Sequence, residues 1–439
     1  MKKITSKLLR ESCFQGNLEC GLPFIIIPKK GQSKKTAVVS VLYGSTDNKF
    51  IPPGGNQEEV PAGIAHFLEH QLFKKTEGDL SQEFARYGAY YNANTGYHST
   101  NYFFTGTDNF ENNLEILMRL TSQPYFSAEY VATEKLIIEQ ELRMYLDIPD
   151  VKIYQNLLKN MYHYHPINIE IGGTIDSVRN ITPQLLERCY RLFYQPNNMV
   201  ITLSGDMDPE ESAATLNKIW AIKYDKLDAA VKRVVPDEPA GIKTNSASEQ
   251  MSVARPHLLI GYKDTVVGLK GKDLITHNII NDIMLELLLG HSAEIYNKLY
   301  KEGLIDDNFG ASYSNYETYG FTIINAETDT PQELYQRLLK EIAKAKKARF
   351  KTRDLERIKN KFIGKFISAF NSSESLAMIF SAYYFQKINV FDIPRYIKQI
   401  SLKDVQERLS VHLDEKYHSI SQVHPVSNAV SNGAKNTKS

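Results

Sequence analysis

One order of elements, a strand, a helix, an aromatic hairpin and then several helices, occurs twice in this chain, once on each side of a stretch from about Tyr224 to Val253. In the first copy, alternation in KTAVVSVLYGS (Lys35 to Ser45) reads as a strand, and Pro61 is expected to open a helix in the position proline favours. GAYYNANTGYHSTNYFFTGT (Gly88 to Thr107), rich in aromatics and threonine around a glycine, reads as a β-hairpin. NFENNLEILMRLTSQ and SAEYVATEKLIIEQELRMYL carry helical apolar spacing, the second with Ser127 as N-cap. Thr182 before Pro183 caps another helix, which runs into the strand MVITLSGD.

The second copy reads HLLIGYKD as the strand, DLITHNIINDIMLELLLG as the helix and DDNFGASYSNYETYGFTIINAETD as the hairpin, with two more helices and the capped SLKDVQERLSVHL behind them. FSAEYVATEKLIIEQE at Phe126 sets against FKTRDLERIKNKFIGK at Phe350 without a gap, so the chain reads as a tandem duplication. The expected fold class is α+β, two similar halves of mostly antiparallel sheet packed with helices. Residues 1–223 form the first half, 224–253 a proline- and glycine-bearing linker, 254–418 the second half, and 419–439 a small-residue tail expected to be disordered.

Within the first copy, GIAHFLEHQLF (Gly63 to Phe73) places two histidines and a glutamate in an apolar run. At 100° per residue, His66 and His70 stand one turn apart on one helical face, with Glu69 about 60° from His66. Two imidazoles suit zinc when a carboxylate completes three ligands, and a nearby carboxylate that is not a ligand can deprotonate the bound water. The order H-x-x-E-H is the inverzincin pattern, and chance supplies roughly 0.02 matches in a chain of this composition. The plain alternative is a buried helix with satisfied polar groups. Glu141, on TEKLIIEQELRMYLD, is the candidate third ligand; Glu134 shares its face seven residues earlier, and Glu139 points elsewhere. A solvated acidic helix face is the alternative for that pair.

These stretches, together with NANTGYHSTNYFF, HPINIEIGGT, ITPQLLERCYRLFYQPNNM and LSGDMDPE, resemble the pitrilysin or insulinase-like zinc metallopeptidases, in the short bacterial form related to mitochondrial processing peptidase subunits. The resemblance covers most of the chain and implies the processing-peptidase-like metallohydrolase fold. It implies Zn2+ held by His66, His70 and Glu141, with Glu69 as general base and Glu134 as the acid that orients the site. It further implies that Asn92, Asn94 and Thr95 lie on an edge strand to which a substrate backbone adds. A plain hairpin with an asparagine-rich bend is the alternative there.

With Gly78 and Gly290 as a common point, positions 66, 69 and 70 fall on Asn278, Asn281 and Asp282, and Glu141 falls on Lys365, so the second half is expected to hold no zinc. It resembles the inactive halves of the family, which close over the first half. Residues 250 to 420 show no arginine–tyrosine counterpart for gripping the substrate carbonyl, so a homologous motif-less partner chain, or a second copy, is expected to supply one.

A formal charge of 52 − 51 = +1 asks for neither nucleic acid nor an anionic membrane, and no window approaches the ~20 apolar residues of a membrane span. Cys13, Cys20 and Cys189 are too few for a disulfide framework and read as reduced thiols in a cytoplasmic protein. His98, His163 and His165 fall outside the ligand pattern and are read as structural. The expected activity is a zinc-dependent endopeptidase acting on peptides or unfolded segments in a partly enclosed chamber. A vestigial scaffold or chaperone-like subunit and a dedicated precursor-processing protease are the alternatives.

Overall fold

The computed structural model describes residues 1–220 and 229–426. Seven strands form the first sheet in the order Lys2–Ser6, Glu11–Asn17, Pro23–Pro28, Met199–Gly205, Lys35–Val41, Thr100–Gly106, Tyr90–Thr95. All neighbours run antiparallel except Met199–Gly205 beside Pro23–Pro28. The second sheet runs Ser246–Met251, His418–Pro425, His257–Lys263, Tyr319–Glu327, Gly310–Tyr316, and its single parallel pair is Ser246–Met251 with His418–Pro425. From the parallel pair to the open edge, both sheets therefore have the same five-strand order, the topology a tandem duplication requires.

Each sheet has two apolar faces because successive side chains point to opposite sides. In the first sheet Ile26, Val39, Tyr102 and Phe104 face the helices of their own half. Ile25, Ile27 and Val200 face the other way, onto Leu376 and Phe380 of Ser373–Phe385, a helix from the second half. Two buried hydroxyl pairs, Thr36 with Ser373 at 3.0 Å and Thr202 with Ser381 at 2.8 Å, register that helix on the sheet. The debt is returned by Pro149–Met161 of the first half, whose Leu157, Leu158 and Met161 pack with Phe321 and Ile323 of the second sheet. A Cβ at Gly261 would fall 2.8 Å from the Met161 sulfur, so glycine there permits the close approach of that helix.

Three expectations need correction. The stretch 224–253 is not merely a linker: Lys232–Arg233 joins a small sheet with Lys49–Ile51 and Glu58–Glu59, and Ser246–Met251 is the edge of the second sheet; residues 221–228 lie outside the described residues. The tail does not begin at 419, because His418–Pro425 is an interior strand with Ser419, Ser421 and Val423 buried. Serines that look loop-like in composition are the small residues this strand buries, while residues 427–439 lie outside the described residues. Pro61 does not open the motif helix, which starts at Ile64 after Gly63 adopts φ 88°, a left-handed conformation that favours glycine. All three cysteines are free, and among the described residues no helix is long and apolar enough to cross a membrane.

Candidate metal centre

Helix Ile64–Leu72 is anchored by its apolar residues: Ile64, Phe67, Leu68 and Leu72 are buried in the first core, which leaves His66 and His70 facing helix Ala128–Leu146. Its start is fixed by backbone packing. A Cβ on Gly63 would lie 2.2 Å from the Gly172 carbonyl oxygen, and one on Gly173 would lie 2.3 Å from that of Ala62. The IGGT turn is thus a seat for the motif helix, and Gly172 borders the His66 ring. Ala128–Leu146 begins at Ser127, whose hydroxyl accepts from the Tyr130 amide, and it buries Val131, Ile138 and Leu142, turning Glu134 and Glu141 toward the histidines.

The His66 and His70 Nε2 atoms are 3.3 Å apart, and the Glu141 carboxylate oxygens lie 3.8 Å from the first and 3.5 Å from the second. Among the described residues this is the one group of three histidine, cysteine or acidic side chains that can share an ion, all ligand atoms falling within 4.8 Å of one another. Bonds of about 2.0–2.1 Å at tetrahedral angles put neighbouring donors roughly 3.3 Å apart, so the set fits zinc in both chemistry and spacing. His70 Nδ1 lies 2.9 Å from Glu134 Oε1, which fixes Nδ1 as the protonated nitrogen and leaves the Nε2 lone pair toward the cluster. Tyr145, one turn beyond Glu141, donates its hydroxyl to Glu141 Oε1 at 2.8 Å. Glu139 points away and is held by Arg179 at 2.9 and 3.0 Å.

Burial, helped by the neighbouring His70, holds the His66 imidazole down at about 4, so it is neutral and available as a ligand. At His70 burial acts in the same direction but is outweighed by the Glu134 hydrogen bond and the surrounding carboxylates, and the net shift is upward. Glu69, 9% exposed, is raised by burial against the pull of Thr95, whose hydroxyl donates to Glu69 Oε2 at 2.6 Å.

Thr95 ends the strand Tyr90–Thr95, which is the open edge of the first sheet. Asn92 and Asn94 are exposed on that strand, Asn94 accepting from Asn101 at 2.9 Å and Asn92 accepting from the Ala93 amide at 2.9 Å. The Thr95 side chain, read from the sequence as part of a substrate strand, is committed to Glu69. Beyond the strand, His98 stacks on Tyr316 at 3.5 Å and lies 3.0 Å from the Tyr319 hydroxyl, and His165 lies 2.9 Å from Thr318, so the second half's hairpin turn grips the tip of this one. His163 receives a different contact, its backbone amide donating to Glu238.

Sequence reasoning missed Tyr145 and the paired glycines 172 and 173. A tyrosine four residues past a ligand shares its helical face, which was the available signal; the glycine seat has none in local sequence.

Residues 50–175 match the family described as insulinase (peptidase family M16), and residues 180–362 match the peptidase M16 inactive domain. A Bacillus subtilis (strain 168) protein described as an uncharacterized zinc protease, YmfH, is 37% identical over 407 residues, 92% of this chain and 95% of its own length. The chain belongs to the M16 peptidase family. The crystal structure of a putative M16-like peptidase from Alicyclobacillus acidocaldarius superposes with a TM-score of 0.90 at 31% identity, covering 94% of this chain and 98% of that one. A probable mitochondrial-processing peptidase β subunit of Arabidopsis thaliana is 27% identical over 47% of this chain and 39% of its own. The M16 fold, with two similar halves, is thus common to the chain and its relatives.

Proposed function

We propose that this M16 chain is a zinc-dependent endopeptidase cleaving peptides or unfolded segments, and the observation that carries the reading is the convergence of His66, His70 and Glu141 beside a buried Glu69. Zinc bound by those three side chains would supply a water of lowered pKa and a Lewis acid for the peptide carbonyl. Glu69 is the group that accepts the proton and returns it to the departing amine, and Thr95 fixes its carboxylate for that purpose. Glu134 keeps His70 in the tautomer that presents Nε2, and Tyr145 steadies Glu141.

An extended peptide would pair with the backbone of Tyr90–Thr95, with Asn92 and Asn94 beside it. His70 and Glu141 keep about a fifth of their side-chain surface exposed, so the cluster is open to a substrate from one side. In this reading that side is closed by a homologous motif-less chain or a second copy, which brings the carbonyl-gripping residues. Three free thiols, two of them buried, fit a cytoplasmic enzyme.

The test is Glu69→Gln, measured for bound zinc and for cleavage of a quenched peptide. Zinc stays bound and cleavage falls at least ~100-fold if Glu69 is the base. Equal loss of metal would make it a ligand, and a zinc-loaded wild type inert with and without its partner would leave a scaffold subunit.

A further inference from the structure

The second half keeps the cleft of the first but not its ligands. Helix Gly271–Leu289 lies against the open-edge strand Gly310–Tyr316 as the motif helix lies against Tyr90–Thr95, and Thr352–Ser368 stands where the Glu141 helix does. Between them is a cavity of about 570 Å³, inside the range of small-ligand sites. Its walls are largely apolar, from Ile275, Ile279, Phe362, Phe366 and Ile379.

Two opposite charges face this space: Asp282, on the position corresponding to His70, and Lys365, on that of Glu141. They sense each other, the Lys365 ammonium lowering a carboxyl that burial pushes up to about 7. Yet neither makes an ion pair within 4.0 Å with the other or with any described residue. Asp282 and Lys365 are both open to solvent where they line the cavity, so each charge is accessible to an entering ligand. Two further acceptors, Asn278 Oδ1 and Asn315 Oδ1, are buried without a hydrogen-bond partner and line the same space. Buried acceptors without donors are unfavourable and are relieved by a ligand that donates to them. The cavity lining thus combines three acceptors, one cation and apolar side chains.

We propose that this cavity binds a short zwitterionic peptide with apolar side chains, its ammonium taken by Asp282 with the Asn278 and Asn315 oxygens and its carboxylate by Lys365. A zwitterion satisfies both unpaired charges at once, which neither a fatty acid nor an alkylamine does. A dipeptide suits the volume and presents one or two apolar side chains to the isoleucine and phenylalanine walls. The site is independent of the zinc cluster, so it stands whether or not the first half cleaves peptides.

The probe is L-leucyl-L-phenylalanine, titrated by calorimetry into the full chain stripped of metal with a chelator, so that no binding arises at a zinc centre. One saturable site per chain is expected. Affinity should fall at least ~10-fold for N-acetyl-Leu-Phe and for Leu-Phe amide, each of which loses one charge-assisted contact. Asp282→Asn and Lys365→Met should each weaken the free dipeptide by a similar factor and weaken least the analogue already lacking the matching charge. Should a variant fold poorly, the blocked peptides decide alone on the unaltered protein. Absence of saturable binding, binding that disappears with the metal, or equal affinity for the blocked and free peptides would overturn the proposal.

Discussion

Replacing Phe380 by alanine tests whether the two halves are one folding unit. Phe380 is 2% exposed on Ser373–Phe385, a second-half helix, yet it packs among Cys13, Ile25, Ile27 and Val200 of the first sheet and meets Phe391 edge-on at 5.5 Å. Truncating a fully buried phenylalanine costs about 3–5 kcal/mol, the upper part applying where rigid strands keep the site from collapsing. The chain carries a single tryptophan, Trp220, 1% exposed in the core of the first half, so intrinsic tryptophan fluorescence reports that half alone. With a urea slope of about 3 kcal/mol/M or somewhat more for a chain this long, the Trp220 midpoint should fall by roughly 1 M, although the substitution lies in the other half. Circular dichroism should follow the same curve. A Trp220 midpoint that stays in place while the helical signal drops early would refute the argument, because the sheet would then not depend on the helix that covers it.

Glu141→Gln should strip zinc from the protein, and Glu134→Gln should weaken it by about 10 to 100-fold as the loss of a histidine-orienting partner. Glu139→Gln should leave metal content unchanged, since that carboxylate is occupied by Arg179. Thr95→Val removes a hydrogen bond that favours the charged Glu69, so its pKa rises further and the acid limb of the kcat/KM profile moves to higher pH with zinc unchanged; an unmoved limb would deny Glu69 the role of base. Adding a cognate motif-less homologue at fixed enzyme should raise turnover without adding zinc, because misplacement of about 1 Å costs ~100-fold in rate. Full turnover from a monomer would place the carbonyl grip within this chain.

Much of the fold was legible because duplication writes one pattern twice: the hairpins at Tyr90–Thr95 and Tyr319–Glu327 and the capped helices at Ser127 and Ser401 all follow from local periodicity and capping. The three N-terminal strands were not read; in Pro23–Pro28 the reason is that Phe24 to Ile27 are all buried and show no alternation. The tail strand hid behind its buried serines. In the site, helical spacing puts His66 with His70 on one face of one helix and Glu134 with Glu141 on one face of another, because 3.6 residues per turn is a local rule, while the meeting of the two faces comes from the fold. The bond from Thr95 to Glu69 and the seat of Gly63 on Gly172 and Gly173 depend on distant segments meeting, and no spacing encodes them.

The reciprocal covering of the sheets has an ancestral reading. If each half needs the other's helix to seal its own sheet, a single half-length chain could not have existed as a stable monomer. It would have paired with a second copy, each lending Pro149–Met161 or its counterpart across a two-fold axis, as a domain-swapped dimer does. Joining the copies into one chain then left the corresponding positions free to differ, histidines in one half and Asn278 and Asp282 in the other, on the five-strand order that both halves share.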